Sequence, residues 1–135
     1  MTVRTSAVDT TGYDPWQHSN SLGIPVFVRR LHSAHGLWFP DYREILLGDH
    51  LRPWEMRCVL SHEIGHAVLG HVGGDRPEEE WAADRFAVRN LITPSMFSAA
   101  VSRYGENMAG ICKELQVTSG MLRAAYSPLA ERKPA

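Results

Sequence analysis

The stretch Ser61-His62-Glu63-Ile64-Gly65-His66 constrains this chain more than any other. Residues four apart lie one above the other on a helix face, so His62 and His66 can aim both imidazoles at a single cation while Glu63 projects toward the same side. The residue types fit one chemistry. Neutral imidazoles suit zinc, an incomplete protein shell leaves a position for water, and a nearby carboxylate can take that water's proton. Glu63 therefore reads as the base of an H-E-x-x-H site and not as a ligand.

Three fixed positions recur by chance, and the plain alternative is a surface pair of histidines beside a solvated glutamate, so the surrounding sequence has to carry the argument. Arg52 to His71 reads as one helix: Pro53 suits the first helical position, and Met56, Val59, Leu60, Ala67 and Val68 make an apolar stripe at three and four spacing. Candidates for a third ligand are His71, Asp75, Glu78, Glu79, Glu80 and Asp84. A longer zinc pattern, H-E-x-x-H-x-x-G-x-x-H, needs glycine at position 69 and histidine at 72; this chain has Leu69 and Val72, which leaves Gly70 and His71 out of register. Beyond the Gly73-Gly74 break a second helix is expected over Pro77 to Leu91, with Glu80 and Asp84 on one side of it. Glu80 can ligate while Asp84 accepts a hydrogen bond from a ligand imidazole, which fixes the tautomer. The favourable field of a helix N-terminus accounts for Glu78 and Glu79, but not for Asp84 beside Ala83, Phe86 and Ala87.

The run His62-Glu63-Ile64-Gly65-His66-Ala67-Val68-Leu69-Gly70-His71, followed by Glu80-Trp81-Ala82-Ala83-Asp84-Arg85-Phe86-Ala87 and Leu91-Ile92-Thr93-Pro94, resembles the ImmA/IrrE family of metallopeptidases, common in phages, integrative elements and their hosts. The resemblance spans about Leu22 to Leu122. It implies one zinc ion held by His62, His66 and Glu80, with Glu63 as catalytic base. A second acid often precedes the alanine of the latter motif, where this chain has Ala82, but that is not a ligand position.

The remaining sequence frames an α+β fold. At 135 residues the chain has room for one domain, taken as residues 14–126 between a flexible stretch at 1–13 and a tail at 127–135. A net charge of -1 and 44% hydrophobic residues point to neither nucleic acid nor a charged membrane surface. Cys58 and Cys112 have no metal-type or redox-type spacing and read as reduced. No signal-peptide or bilayer-length apolar run is visible, so the expected address is the cytoplasm. Asp14-Pro15-Trp16 opens a short helix stopped by Gly23. Extended pieces at Ile24 to Leu31, Gly36 to Phe39 and Arg43 to Gly48, with a turn at Pro40-Asp41, predict a three-stranded antiparallel meander packed on the zinc helix. The third piece is the candidate edge strand for pairing an extended substrate. Helices at Ser95 to Tyr104, Asn107 to Leu115 and Thr118 to Tyr126 complete a C-terminal helical part.

A small zincin-like metallo-endopeptidase is thus expected. The resemblance suggests a specific protein substrate, a helix-turn-helix repressor of a phage or mobile element. Tyr104, Tyr126, Tyr42 or His35 would donate to the oxyanion. His18, His32, His35 and His50 each read more readily as surface or structural residues than as catalysts. One alternative is a non-catalytic zincin-fold protein that binds and inactivates the repressor. Another is a DNA-binding regulator, since Cys112 to Thr118 loosely resembles the middle of a helix-turn-helix; its second helix offers only Arg123 to phosphates.

Overall fold

Proline marks the start of four of the helices. The computed structural model describes residues 12–72 and 76–126, in which α1 (Pro15–Ser21), α2 (Pro53–Val68), α3 (Pro77–Leu91) and α4 (Pro94–Tyr104) each begin on a proline. At that position the missing N–H would have had no helical partner, and the ring presets φ. Side chains satisfy neighbouring N–H groups. Asp14 accepts from Trp16, the Glu55 carboxylate accepts from the Arg52 N–H at 2.8 Å, and the Thr93 hydroxyl accepts from Met96 at 3.0 Å. The last two helices, α5 (Met108–Leu115) and α6 (Ser119–Tyr126), are introduced by Asn107 and Thr118 in the same way. Predicted segments 1–13 and 127–135 lie outside the described residues, apart from Gly12 and Tyr13; Tyr13 packs against the helical core and its hydroxyl meets His18 Nδ1 at 2.8 Å.

The α+β class is as expected, but the sheet is not an antiparallel meander. Strands β1 (Val26–Arg29), β2 (Gly36–Phe39) and β3 (Glu44–Gly48) are ordered β1-β3-β2, with β1 parallel to β3 and β2 antiparallel to it. Burial accounts for the difference. β3 is the most deeply buried strand, its Ile45 and Leu47 wholly inaccessible to solvent, so the sheet is most stable with this strand in the middle. The stretch from Arg30 to Arg43, with β2 inside it, is long enough for the crossover a parallel pair requires. As the central strand, β3 has both edges occupied and cannot be the substrate-pairing edge. β2, which has a neighbour on one side only, runs over α2 instead.

Helix α2 lies between two cores. On its sheet side Leu60 and Ile64 pack with Ile24, Ile45 and Leu47; on the other, Cys58 joins Val88, Leu91 and Ile92 of the α3 region and Ile111, Leu115, Val117, Met121 and Leu122 of the C-terminal helices. Full burial of each large aliphatic side chain contributes roughly 1.5–3 kcal/mol, so the middle of α2 is held from both sides. Among the described residues no helix is long and apolar enough to cross a membrane.

β2 approaches α2 closely because position 36 is glycine. A Cβ there would stand 2.5 Å from Val59 Cγ1 and 3.3 Å from the Glu63 carboxylate. Val59 is β-branched and cannot swing aside freely. Gly36→Ala is expected to destabilise the protein by about 1–3 kcal/mol, the range for overpacking, read from the shift in its urea unfolding midpoint. An unchanged midpoint would contradict this packing.

Candidate metal centre

The centre is built where α2 faces the first two turns of α3. One helical turn separates His62 from His66 on α2, and one turn separates Glu80 from Asp84 on α3. His62 Nε2 lies 3.1 Å from His66 Nε2, while Glu80 sets one carboxylate oxygen 3.0 Å from each of these nitrogens. These donors lie within 4.8 Å of one another, the one such group of three among the described residues. Tetrahedral zinc with bonds of about 2.0–2.1 Å separates its donors by roughly 3.3 Å, so the set fits a single ion. The chemistry fits as well. Asp84 Oδ1 accepts from His62 Nδ1 at 2.7 Å, which leaves a bare lone pair on Nε2 of the neutral ring. Two imidazole nitrogens and a carboxylate meeting this closely call for a positive charge among them, either a proton on a ring or a bound cation.

The charges around the triad reinforce that demand. Burial lowers the pKa of His62, yet the hydrogen bond to Asp84 and the charges of Glu63, Asp84 and Glu80 outweigh it and raise the group to about 9. His66 moves the other way, lowered by burial and by the proximity of His62. The field that holds a proton on His62 also favours a divalent cation in its place. Glu63 is 7% exposed, and burial, with Glu80 and Asp84 adding to it against His62, pushes its carboxyl up to about 7.

Other residues singled out from sequence divide clearly. Glu78 and Glu79 stand outside the triad, and Asp75 lies outside the described residues. His71 is not in the ligand group, but its Nδ1 is 2.8 Å from His66 Nδ1. Of the four possible oxyanion donors, His35 lines the same cavity of about 260 Å3 as His62, Glu63 and Glu80. Tyr42 is 75% exposed, Tyr104 packs over Gly110, and Tyr126 stacks on Phe97 with ring centroids 4.0 Å apart. His50 holds His35, its Nε2 standing 3.1 Å from His35 Nδ1, and the Gly48 N–H donates to the His35 carbonyl at 2.8 Å. His18 is structural, bonded to Tyr13 and stacked on Phe86. Cys58 also borders the cavity, but it donates its Sγ–H to the Gln116 carbonyl, and burial pushes its pKa up to about 12. Larger grooves of about 710 and 890 Å3 lie elsewhere, so size does not mark the site; the convergent donors do.

The C-terminal helices turn their apolar residues inward. Gln116 takes the left-handed conformation, φ 56°, between α5 and α6, where a turn glycine is more usual. Met121, Leu122, Ala124 and Ala125 of α6 are buried, and Thr118 and Met121 wall the metal cavity.

Compared with models of known families, residues 19–127 match the IrrE N-terminal-like domain, Peptidase_M78. No curated protein matches the chain.

Asp84 gives a direct check on this geometry. Asp84→Ala is expected to weaken zinc binding about 10–100-fold, as loss of an outer hydrogen bond to a ligand imidazole typically does, measured by competition with a chromophoric chelator. Wild-type affinity in the variant would show that the contact does not orient His62.

Proposed function

Because the chain belongs to the Peptidase_M78 family of zincin-type metallopeptidases, we propose that it is a zinc-dependent endopeptidase with one zinc held by His62, His66 and Glu80. The observation that carries this reading is a buried carboxyl, Glu63, opening on the same cavity as the ligand triad. A bound zinc ion supplies Lewis acidity, polarising a carbonyl and acidifying water. Glu63 then takes the proton of the water that attacks the scissile carbonyl carbon and returns it to the leaving nitrogen as the C–N bond breaks. Asp84 keeps His62 in the ligating tautomer, and His35, oriented through its Nδ1 by His50, donates from Nε2 to the oxygen on which charge develops. An extended substrate segment pairs with the open edge of β2, which runs over α2 beside Glu63.

The proposed substrate is a helix-turn-helix repressor of a phage or mobile element, met in the cytoplasm; its support is the ImmA/IrrE resemblance of the motifs. The rival reading, a zincin-fold protein that only holds the repressor, gives no reason for a buried base beside the metal triad. DNA binding is disfavoured because half of α6, the would-be reading helix, is buried in the core and Arg123 is its one basic residue. The test is incubation of the zinc-loaded chain with a candidate helix-turn-helix repressor. Wild type is expected to cut at a defined bond, and Glu63→Gln to lose about 10²–10⁴-fold in rate. Equal cleavage by both would refute the mechanism, and binding without cleavage in both would establish the rival.

A further inference from the structure

His71 looked out of register for a ligand, and the end of α2 shows what places it beside the centre. After Leu69 the chain enters the left-handed region at Gly70, φ +76°. The Gly70 N–H donates to the Ala67 carbonyl at 3.3 Å, and the His71 N–H donates to the His66 carbonyl at 2.9 Å. This pair of bonds is a Schellman motif, which folds the residue after the glycine back over the residue three before the cap. Here it lays His71 over His66. Such a contact is commonly apolar; in this chain it joins two imidazoles, with Nδ1 to Nδ1 at 2.8 Å, ring centroids 5.0 Å apart and planes at 61°. The turn is also tied to the sheet, since Trp38 Nε1–H donates to the His71 carbonyl at 3.3 Å.

Two neutral rings at this distance need one proton between the facing nitrogens. His66 Nε2 faces Glu80 and His62, so the ligating tautomer carries its proton on Nδ1. His71 must then accept on Nδ1 and keep its own proton on Nε2. We propose that His71 is a positioning residue of the metal centre, accepting the His66 Nδ1–H so that His66 Nε2 stays aimed at the ion. The two ligand histidines thus have different holders, a carboxylate for His62 and a neutral imidazole for His66.

This inference rests on the metal-binding reading of the triad but not on peptidase activity, and zinc and cobalt alone test it. The full chain, His71→Ala and His71→Asn are titrated with zinc against a chelator, and their cobalt(II) absorption bands are recorded. His71→Ala is expected to bind one zinc about 10–100-fold more weakly, with cobalt bands that keep the wild-type coordination number. His71→Asn, whose side-chain carbonyl can accept the same hydrogen bond, is expected to recover most of the affinity. Wild-type affinity in His71→Ala, no recovery in His71→Asn, or cobalt bands showing one nitrogen ligand fewer would each overturn the proposal. A wild type that binds neither ion overturns it together with the metal-centre reading. Chains that respond as expected yet cleave no protein uphold it and remove only the peptidase function.

Discussion

The close crossing of α2 and α3 at Gly65 is the contact on which the centre depends. A Cβ at that position would meet the Phe86 ring at 3.0 Å and the Ala83 carbonyl at 3.2 Å. The missing side chain lets α3 lie near enough for the short Asp84 side chain to reach His62 Nδ1 and for Glu80 to span both ligand nitrogens. A larger residue would push α3 outward and draw its carboxylates away from the imidazoles. The same crossing packs Phe86 against the sheet-side core and buries Ala83, so apolar burial sets the distance that the polar groups then use.

That arrangement gathers charge where solvent is scarce. Glu63 and His66 are buried and His62 is nearly so, while Glu80 and Asp84 stand at the open side. Desolvated groups of this kind cost stability unless each is paired. Every polar contact in the cluster either orients a ligand nitrogen or concentrates negative potential on one point. A cation bound at that point would offset the cost, and its binding free energy would add to folding. The cavity wall contributed by Thr118 and Met121 links this point to the C-terminal helices. Those helices therefore shape the metal cavity as well as closing the core.

Local signals in the sequence were enough to outline much of this. Helix starts at Pro15, Pro53, Pro77 and Pro94 follow from one stereochemical fact about proline, and α3 runs over the residues its pattern predicts. Spacing of one helical turn pairs His62 with His66 and Glu80 with Asp84, while the family resemblance of the motifs is what joins the two pairs into one site. Strand order was not legible. Alternation and turn residues mark where strands lie, whereas the central place of β3 is decided by the burial of Ile45 and Leu47 against α2, a tertiary effect. The edge role passed to β2 for the same reason. The apolar stripe extended α2 to His71, although Gly70 was the signal for a stop at Val68 and for a fold-back onto His66. A search for ligand spacing alone gives such a residue no part to play. Nor could periodicity separate His35 from Tyr42, Tyr104 and Tyr126, since only packing brings one of them to the cavity.

The most direct test of the metal centre is X-ray absorption at the zinc edge of the full chain, loaded with excess zinc and then desalted. One zinc retained per chain, with a first shell of nitrogen and oxygen at about 2.0–2.1 Å that includes two imidazoles, is the predicted result. A chain that retains no zinc, or a sulfur scatterer at about 2.3 Å that brings Cys58 into the first shell, would contradict a centre made of His62, His66 and Glu80.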